Sequence, residues 1–292
     1  MNSSQNNWGE YEVRRSTIWW IEVYDFSPAI NDPKKNTLLF APGFSRTAKS
    51  IEETMGTFSM NWRRSLTFNH PRIFGEIKKN PTQIEIPKEV LRRASTIYTV
   101  FKWIIEGGDN KQIKIDLVWQ SAWSIDVILA AIMIEEEFPL NVWNIVLVSP
   151  SWMIDWDTFE NIRQRYKLQV KENMVFVKNW VDNAVVAFKE AVKYYLQNPV
   201  RAYNESKSLV SVDLKDLLNY LKIKSPNILV SVIHWVDDKT YPMEDIQRQK
   251  ELWKKVAGFY SVKWWHSQLY LNPKVYAEAV DLALIAMNKD RS

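Results

Sequence analysis

The segment from Ile115 to Pro150 constrains the fold most, because two short apolar runs flank a long segment with helical spacing. The first run, Ile115–Val118, ends at the sequence WQSAW, which has Ser121 at its centre, and the second run is Asn144–Val148. Strand, sharp turn, helix and strand together predict a βαβ unit of a parallel sheet. A parallel-sheet enzyme holds a nucleophile at the carboxyl end of such a strand, so Ser121 is the candidate nucleophile.

The remaining chain continues the alternation of strands and helices. Further strands are predicted at Val13–Arg15, Ile21–Phe26, Thr37–Ala41, Ser65–Phe68, Asn227–His234 and Phe259–Lys263. Helical spacing or turn signals predict helices at Lys49–Phe58, Pro87–Ile105, Met243–Val256 and Pro273–Met287. This alternation predicts an α/β fold with a mostly parallel sheet flanked by helices.

The stretch after Pro150 has a different pattern, since it contains no convincing buried strand. Helical segments are predicted around Phe159–Val170, Val181–Leu196 and Leu214–Leu221, with aromatic and aliphatic side chains that do not share one helix face. We therefore expect a helical cap inserted between two sheet strands. Residues 1–150 and 222–292 would form the core, and 151–221 the cap, whose apolar content suggests a pocket for an apolar acyl or alcohol group.

Composition excludes several classes of protein. The formal net charge of +4 is mild for 292 residues and is not clustered into a stripe, so no nucleic-acid partner is predicted. No apolar run is long enough to cross a bilayer, and the polar N-terminus lacks the apolar core of a secretion signal. The absence of cysteine excludes disulfides and thiolate sites and suits a cytoplasmic location.

Neither a metal nor a cofactor is predicted. The three histidines are far apart and lack the spacing of a zinc motif. The glycine-rich sequences that bind dinucleotides or nucleoside triphosphates are also missing from the first strand–helix turns, even if every tryptophan there is read as glycine.

A serine hydroxyl needs a neighbouring base to take its proton and a carboxylate to orient that base. His70 lies in a loop after an early strand, and His234 lies within an apolar run that is typical of a hydrogen-bonded core or loop histidine. His266 lies in a loop between the last short strand and the last helix, where a base can reach a nucleophile on a neighbouring strand. Two carboxylates, Asp237 and Asp238, follow the strand Asn227–His234.

This order of serine, acid and histidine, with its surroundings, resembles the α/β-hydrolase family over nearly the whole chain. LLFAPGFS is similar to the strand and His-Gly-Phe oxyanion loop that many members of the family carry, with Pro42 in place of the histidine. IKIDLVWQSAWS is similar to the strand and nucleophile elbow, normally Gly-x-Ser-x-Gly. ILVSVIHWVDDKTYP and KWWHSQLYLNP resemble the segments that carry the acid and the histidine. In this register Asp238, rather than Asp237, corresponds to the acid.

The resemblance implies a serine hydrolase that cleaves a carboxylic ester, thioester or similar acyl substrate through an acyl-enzyme, without a cofactor. Ser121 would attack the carbonyl, His266 would carry the proton and Asp238 would orient the histidine. The backbone N–H groups of Phe44 and Ala122 would form the oxyanion hole. Two alternatives stay open: a non-catalytic binding protein of the same fold, and C–C bond hydrolysis or acyl transfer by the same three residues.

Tryptophan stands where the family has glycine. The chain holds 15 Trp and 7 Gly, and this glycine content is about a third of the usual ~7%. The elbow needs small residues beside the serine, because its turn packs helix against strand. We hypothesise that a gene in which UGA encodes glycine has been read with UGA as tryptophan; otherwise the chain as written is a hydrolase without a working site. The positions concerned are Trp119, Trp123, Trp235 and Trp265.

Overall fold

The structure is a computed structural model that describes residues 2–5, 11–41, 43, 47–71, 75–107, 113–150, 158–179, 181–208, 211–243, 256–263, 266 and 268–291. Over these residues the chain forms nine strands. They are β1 (Asn2–Gln5), β2 (Tyr11–Ile18), β3 (Ile21–Pro28), β4 (Thr37–Ala41), β5 (Ser65–Phe68), β6 (Ile115–Gln120), β7 (Val142–Val148), β8 (Leu229–Trp235) and β9 (Gly258–Val262).

The described strands form one sheet in the order β1-β2-β3-β5-β4-β6-β7-β8-β9. All neighbours from β5 to β9 pair in parallel, whereas β1, β2 and β3 add antiparallel strands at one edge. The prediction of a mostly parallel α/β sheet is confirmed.

Helices cover both faces of the sheet. In chain order they are α1 (Glu52–Met60), α2 (Lys88–Glu106), α3 (Ser124–Glu137), α4 (Phe159–Lys178), α5 (Asp182–Gln197), α6 (Pro199–Ser208), α7 (Leu214–Lys224), α8 (Gln268–Leu271) and α9 (Pro273–Lys289). Helices α2, α3 and α7 pack on one face, and α1 and α9 pack on the other.

The central strands carry apolar side chains on both faces because both faces are covered. Every side chain of β6 is buried, and Leu117 and Trp119 contact the α2–α3–α7 side while Val118 contacts the opposite side. Such strands show continuous apolar runs rather than alternation. This is why the sequence indicates their positions so directly.

The parallel pairing brings the carboxyl ends of four separate strands to one edge of the sheet. Gly43 follows β4, Ser121 follows β6, Asp238 follows β8 and His266 follows β9. Each of these residues lies just beyond the last hydrogen-bonded position of its strand, so the edge collects side chains from distant parts of the sequence.

Within the predicted cap range of 151–221, the helices α4, α5 and α6 differ from α7. Most described side chains of α4 are exposed or half-buried, whereas Leu214, Leu217, Leu218 and Leu221 of α7 belong to the core cluster beside α3. The division into core and cap stays a prediction, and α7 packs with the core.

Several elements differ from the sequence-based expectation. The short strand β1 and the helices α6 and α8 were not predicted, and α4 continues to Lys178 instead of ending near Val170. Helix α6 begins at Pro199. Proline suits the first turn of a helix, but in a sequence it also indicates the end of a helix. Nearly all of the predicted helix Met243–Val256 lies outside the described residues.

Candidate active site

Ser121 lies at a sharp turn between β6 and a short 3-10 helix, Ser121–Trp123, that leads directly into α3. Its φ is 66°, in the left-handed region that residues with a side chain seldom adopt. Strained backbone of this kind is concentrated at functional sites, where the surrounding structure holds it. The turn leaves the half-buried Ser121 at the carboxyl edge of the sheet.

The three predicted site side chains lie in one hydrogen-bonded row. The Nε2 atom of His266 is 2.8 Å from the Oγ atom of Ser121, and its Nδ1 atom is 2.6 Å from the Oδ2 atom of Asp238. Of the two adjacent carboxylates, Asp238 makes the contact and Asp237 is half-buried nearby. His266 and Asp238 are 7% and 2% exposed, so water screens their interaction little.

Asp238 is held in place by its own loop. The N–H groups of Thr240 and Tyr241 donate to its Oδ1 atom at 2.8 and 3.1 Å, which is the geometry of an Asx turn. Burial disfavours the charged carboxylate, but the charge and hydrogen bond of His266 outweigh burial and hold the pKa of Asp238 below its ordinary value. The carboxylate is therefore ionised at neutral pH.

Gln120 is a site residue that the sequence did not indicate. Its Nε2 atom donates to the backbone carbonyl of His266 at 2.7 Å, so the residue before Ser121 fixes the loop that carries the histidine. The two residues are 146 positions apart in the chain. Apart from its position beside Ser121, no sequence signal marks Gln120, because the contact depends on the folded arrangement of two loops.

The predicted oxyanion residues are described only in part. Phe44 lies outside the described residues. Gly43, its neighbour, approaches the elbow so closely that a Cβ atom added there would lie 3.3 Å from the carbonyl oxygen of Gln120. Ala122 lies in the 3-10 helix, where the first N–H groups have no acceptor within the helix. These backbone positions bring the β4 loop and the elbow together.

His234 and His70 make no described contact with Ser121. His234 is fully buried in β8, as expected for a core histidine, and neither of its ring nitrogens bonds a side chain among the described residues. Burial lowers the pKa of His234 to about 4, against an opposing effect of Asp238. The ring of His70 lies between those of Phe68 and Trp123, at 5.2 and 4.2 Å.

Three of the four tryptophans that replace family glycines are described, and all are buried. Trp119 and Trp123 stack with ring centroids 6.2 Å apart, and Trp235 packs against Tyr276. The indole nitrogens of Trp119 and Trp235 have no hydrogen-bond acceptor in the described part of the chain. Trp265 lies outside the described residues.

A cleft of about 660 Å³ opens beside the elbow, between the core and helices α5 and α6. Its lining includes Trp123 and His70 from the core, Tyr194 from α5 and Arg201 from α6. The other lining residues are mostly polar and carry charges of both signs: Trp20, Glu22, Tyr24, Thr47, Lys49, Asn69, Pro71, Glu190, Lys193, Gln197 and Asn198.

Two features are absent from the described residues. In them, no three His, Asp or Glu side chains are grouped so that they could hold a metal ion. None of their helices combines the length and apolarity required to cross a bilayer.

Comparison with solved structures gives the fold class. The chain is similar to a bromoperoxidase from Bacillus anthracis, with 16% identity and a TM-score of 0.60 over 93% of this chain and 99% of that one. It is also similar to a serine hydrolase involved in carbazole degradation, with 12% identity and a TM-score of 0.55 over 95% and 99%. A thioesterase domain from the curacin biosynthetic pathway gives 12% and 0.55 over 92% and 99%.

The chain has the α/β-hydrolase fold, as its sequence motifs predicted. No family model matches the sequence, and no curated protein matches it significantly. At these identities the likeness extends to the fold alone, so the activity has to be argued from the side chains at the sheet edge.

Proposed function

We propose that this protein is a serine hydrolase that cleaves a carboxylic ester, thioester or similar acyl substrate. The observation that carries the proposal is the continuous row from Ser121 through His266 to Asp238, with separations of 2.8 and 2.6 Å. A hydroxyl, an imidazole and a buried ionised carboxylate in this order form the arrangement that activates a serine for attack on a carbonyl.

In the first half of the reaction, the Oγ atom of Ser121 attacks the carbonyl carbon while its proton moves to Nε2 of His266. Asp238 stabilises the imidazolium that forms, since its pKa is held low and it stays charged. The tetrahedral intermediate collapses by expelling the alcohol or thiol, which takes the proton from Nε2 and leaves an acyl-serine.

In the second half, water takes the place of the leaving group. His266 removes a proton from that water, whose oxygen attacks the acyl carbon, and the proton then passes to the Oγ atom of Ser121 as the acid leaves. Backbone N–H groups at Ala122 and Phe44 would stabilise the negative oxygen in both halves, a contribution of about 3–4 kcal/mol per donor in comparable sites.

A fluorophosphonate probe tests this proposal, because it reacts only with an activated serine. We expect covalent labelling of the folded protein at Ser121 and loss of labelling in Ser121→Ala. Ser149→Ala is a matched control, since Ser149 also follows a parallel strand and has a positive φ of 41°. Labelling that persists in Ser121→Ala would contradict the assignment of the nucleophile.

The same experiment separates the two alternatives. A folded protein that does not label at all would favour a non-catalytic binding protein. If Ser121 labels, product analysis with an ester, a thioester, a C–C substrate and an added acyl acceptor distinguishes hydrolysis of an ester from the other chemistries of the same three residues.

A further inference from the structure

We propose that the fold is built for glycine at positions 19, 62, 119 and 123, and that the space filled by the indoles of Trp119 and Trp123 is an acyl-binding subsite beside Ser121. The first part follows from backbone geometry at positions 19 and 62 and from burial at position 119, and position 123 is included because its indole shares the space of Trp119. It is independent of any activity. The second part rests on the proposed serine hydrolase function.

Trp62 occupies the position at which a helix most often ends with glycine. Helix α1 ends at Met60 with Asn61 as its C-cap, the next residue Trp62 has a φ of 62°, and the N–H of Trp62 bonds the carbonyl of Ser59 at 2.9 Å. The N–H of Arg63 bonds the carbonyl of Phe58 at 3.2 Å, which completes a Schellman motif. The indole is 60% exposed, so packing offers little compensation for the left-handed backbone.

Trp19 occupies a second glycine position at the tip of the β2–β3 hairpin. Ile18 pairs with Ile21, so the loop has two residues, Trp19 and Trp20. Trp19 has a φ of 57° and is 80% exposed. Two-residue hairpin loops place glycine, or a short polar residue such as asparagine, at positions with positive φ. Trp20 is also exposed, at 66%, but has no positive φ.

Burial gives independent support at the sheet edge. The indole N–H of Trp119 is buried without an acceptor in the described part of the chain, and the same holds for Trp235 on the opposite face. Buried tryptophan normally finds a partner for this group, and an unsatisfied buried donor is destabilising. A glycine at either position would bring no such donor.

The indoles of Trp119 and Trp123 fill one continuous space. Their rings stack 6.2 Å apart, and Trp123 is enclosed by the ring of His70 at 4.2 Å and the guanidinium of Arg93 at 4.6 Å. Trp123 also lines the cleft. Without the two indoles this space would join the cleft two residues from the nucleophile, and its apolar neighbours in the core suit an apolar acyl chain.

The first test measures stability and needs no substrate. In urea titrations, Trp62→Gly and Trp19→Gly should each raise the folding equilibrium constant about fivefold, because glycine removes the left-handed strain. Trp20→Gly is the matched control and should bring no increase. A constant that falls in both Trp62→Gly and Trp19→Gly would overturn the proposal.

The second test measures acyl-chain preference. In the Trp119→Gly/Trp123→Gly double variant, the ratio of kcat/KM for p-nitrophenyl octanoate to that for the acetate should rise at least about tenfold, since one added methylene in a pocket can change a rate this much. An unchanged ratio in a folded, labelled variant would overturn the subsite. If the double variant unfolds, the same ratio in Trp123→Gly alone decides.

Peptide masses of the protein from its own cells provide a readout that needs neither folding nor activity. Glycine at positions 19, 62, 119 and 123 supports the proposal, and tryptophan at all four ends it. If no variant labels at Ser121 while Trp62→Gly is stabilised, the proposed hydrolase function fails and the glycine assignment stands. If the parent labels at Ser121 and the variants change neither stability nor chain preference, the hydrolase function stands and the glycine assignment fails.

Discussion

The tryptophans at the two ends of the parallel sheet differ in whether their indole N–H groups are hydrogen-bonded. At the amino end, Trp143 of β7 donates its indole N–H to the Oδ1 atom of Asn288 at 3.1 Å, and its ring lies between the charged groups of Lys114 and Arg291 at 3.3 and 3.9 Å. At the carboxyl end, Trp119 and Trp235 are buried with no described acceptor for their N–H groups. The tryptophan at the amino end therefore makes polar contacts, whereas Trp119 and Trp235 at the carboxyl end are buried without them.

The polar groups at the two ends differ in the same way. At the amino end, buried Asp116 accepts hydrogen bonds from Asn36, Arg63 and Asn144, and Arg63 also pairs with Asp281. At the carboxyl end, His234 is buried beside the Asp238–His266 pair and bonds no side chain among the described residues. The amino end is arranged for stability, and the carboxyl end keeps strained and unsatisfied groups, as functional sites do.

The largest expected effect is on the amino end. Arg63→Ala should lower the free energy of unfolding by about 3–5 kcal/mol, because it leaves the buried carboxylate of Asp116 without its cation and leaves Asp281 with the more distant Lys35, at 3.8 Å. The side chains of Arg63 and Asp116 are 2% and 0% exposed. Urea titrations measure this loss.

Its neighbour Arg64 provides the matched control. Arg64 pairs with Asp25 at 2.8 Å, but its side chain is 32% exposed. Arg64→Ala should therefore cost about 1 kcal/mol or less. Equal losses for the two arginines would show that the amino-end network is no more important than a surface ion pair.

The next effect is the acid sensitivity of the carboxyl end. The pKa of His234 falls from its ordinary 6.5 to about 4 on folding, so the unfolded chain binds more protons between these values. His234 therefore contributes a loss of about 3 kcal/mol as the pH falls from about 6.5 towards 4. Asp126, whose pKa burial raises to about 7, contributes in the opposite direction over the same range. Asp238, with its lowered pKa, acts only below its ordinary value of 3.8 and does not affect this window.

The variant His234→Phe checks this assignment. It keeps an apolar ring beside Phe259 and removes the titrating group, so the unfolding free energy of the variant relative to that of the parent should rise by about 3 kcal/mol as the pH falls from 6.5 to 4. Thermal unfolding followed by circular dichroism at both pH values measures the difference. The same pH dependence of the unfolding free energy in variant and parent would assign the acid sensitivity to other groups.

The parts of the molecule that the sequence predicts are those whose cause is local. Strands β4, β5 and β6 carry apolar runs because both faces of the sheet are covered, and the runs mark them nearly to the residue. The serine, acid and histidine are also recognisable, because each follows a strand end within a short motif. Their pairing distances required the folded sheet.

The parts that the sequence does not predict depend on contacts between distant segments. Gln120 bonds the carbonyl of His266, which is 146 positions away in the chain. Helix α6 begins at a proline, a residue that in sequence equally indicates the end of a helix. Trp62 has an ordinary sequence context, and only the backbone angle of 62° identifies it as a glycine position. Local propensity contains none of this information.

A smaller effect concerns how Gln120 positions the His266 loop at the carboxyl end. Gln120→Met keeps the side-chain length and removes the donor to the carbonyl of His266, which is 2.7 Å away. We expect kcat to fall up to about tenfold with KM nearly unchanged, because one hydrogen bond that positions the base is lost and no substrate contact is removed. Steady-state kinetics on an activated ester measure both constants. A rise in KM alone would instead place Gln120 in substrate binding.

The smallest effect concerns the hydrogen bond of the Trp143 indole at the amino end of the sheet. Trp143→Phe keeps a ring for Lys114 and Arg291 but removes the N–H that bonds Asn288, so it should cost about 1 kcal/mol. A double-mutant cycle with Asn288→Ala isolates that bond, since both partners are then absent and other losses cancel. The coupling energy should be about 1 kcal/mol. A coupling near zero would mean that the indole N–H of Trp143 contributes no more to stability than that of Trp119. The difference in stability between the two ends would then rest on Arg63 alone.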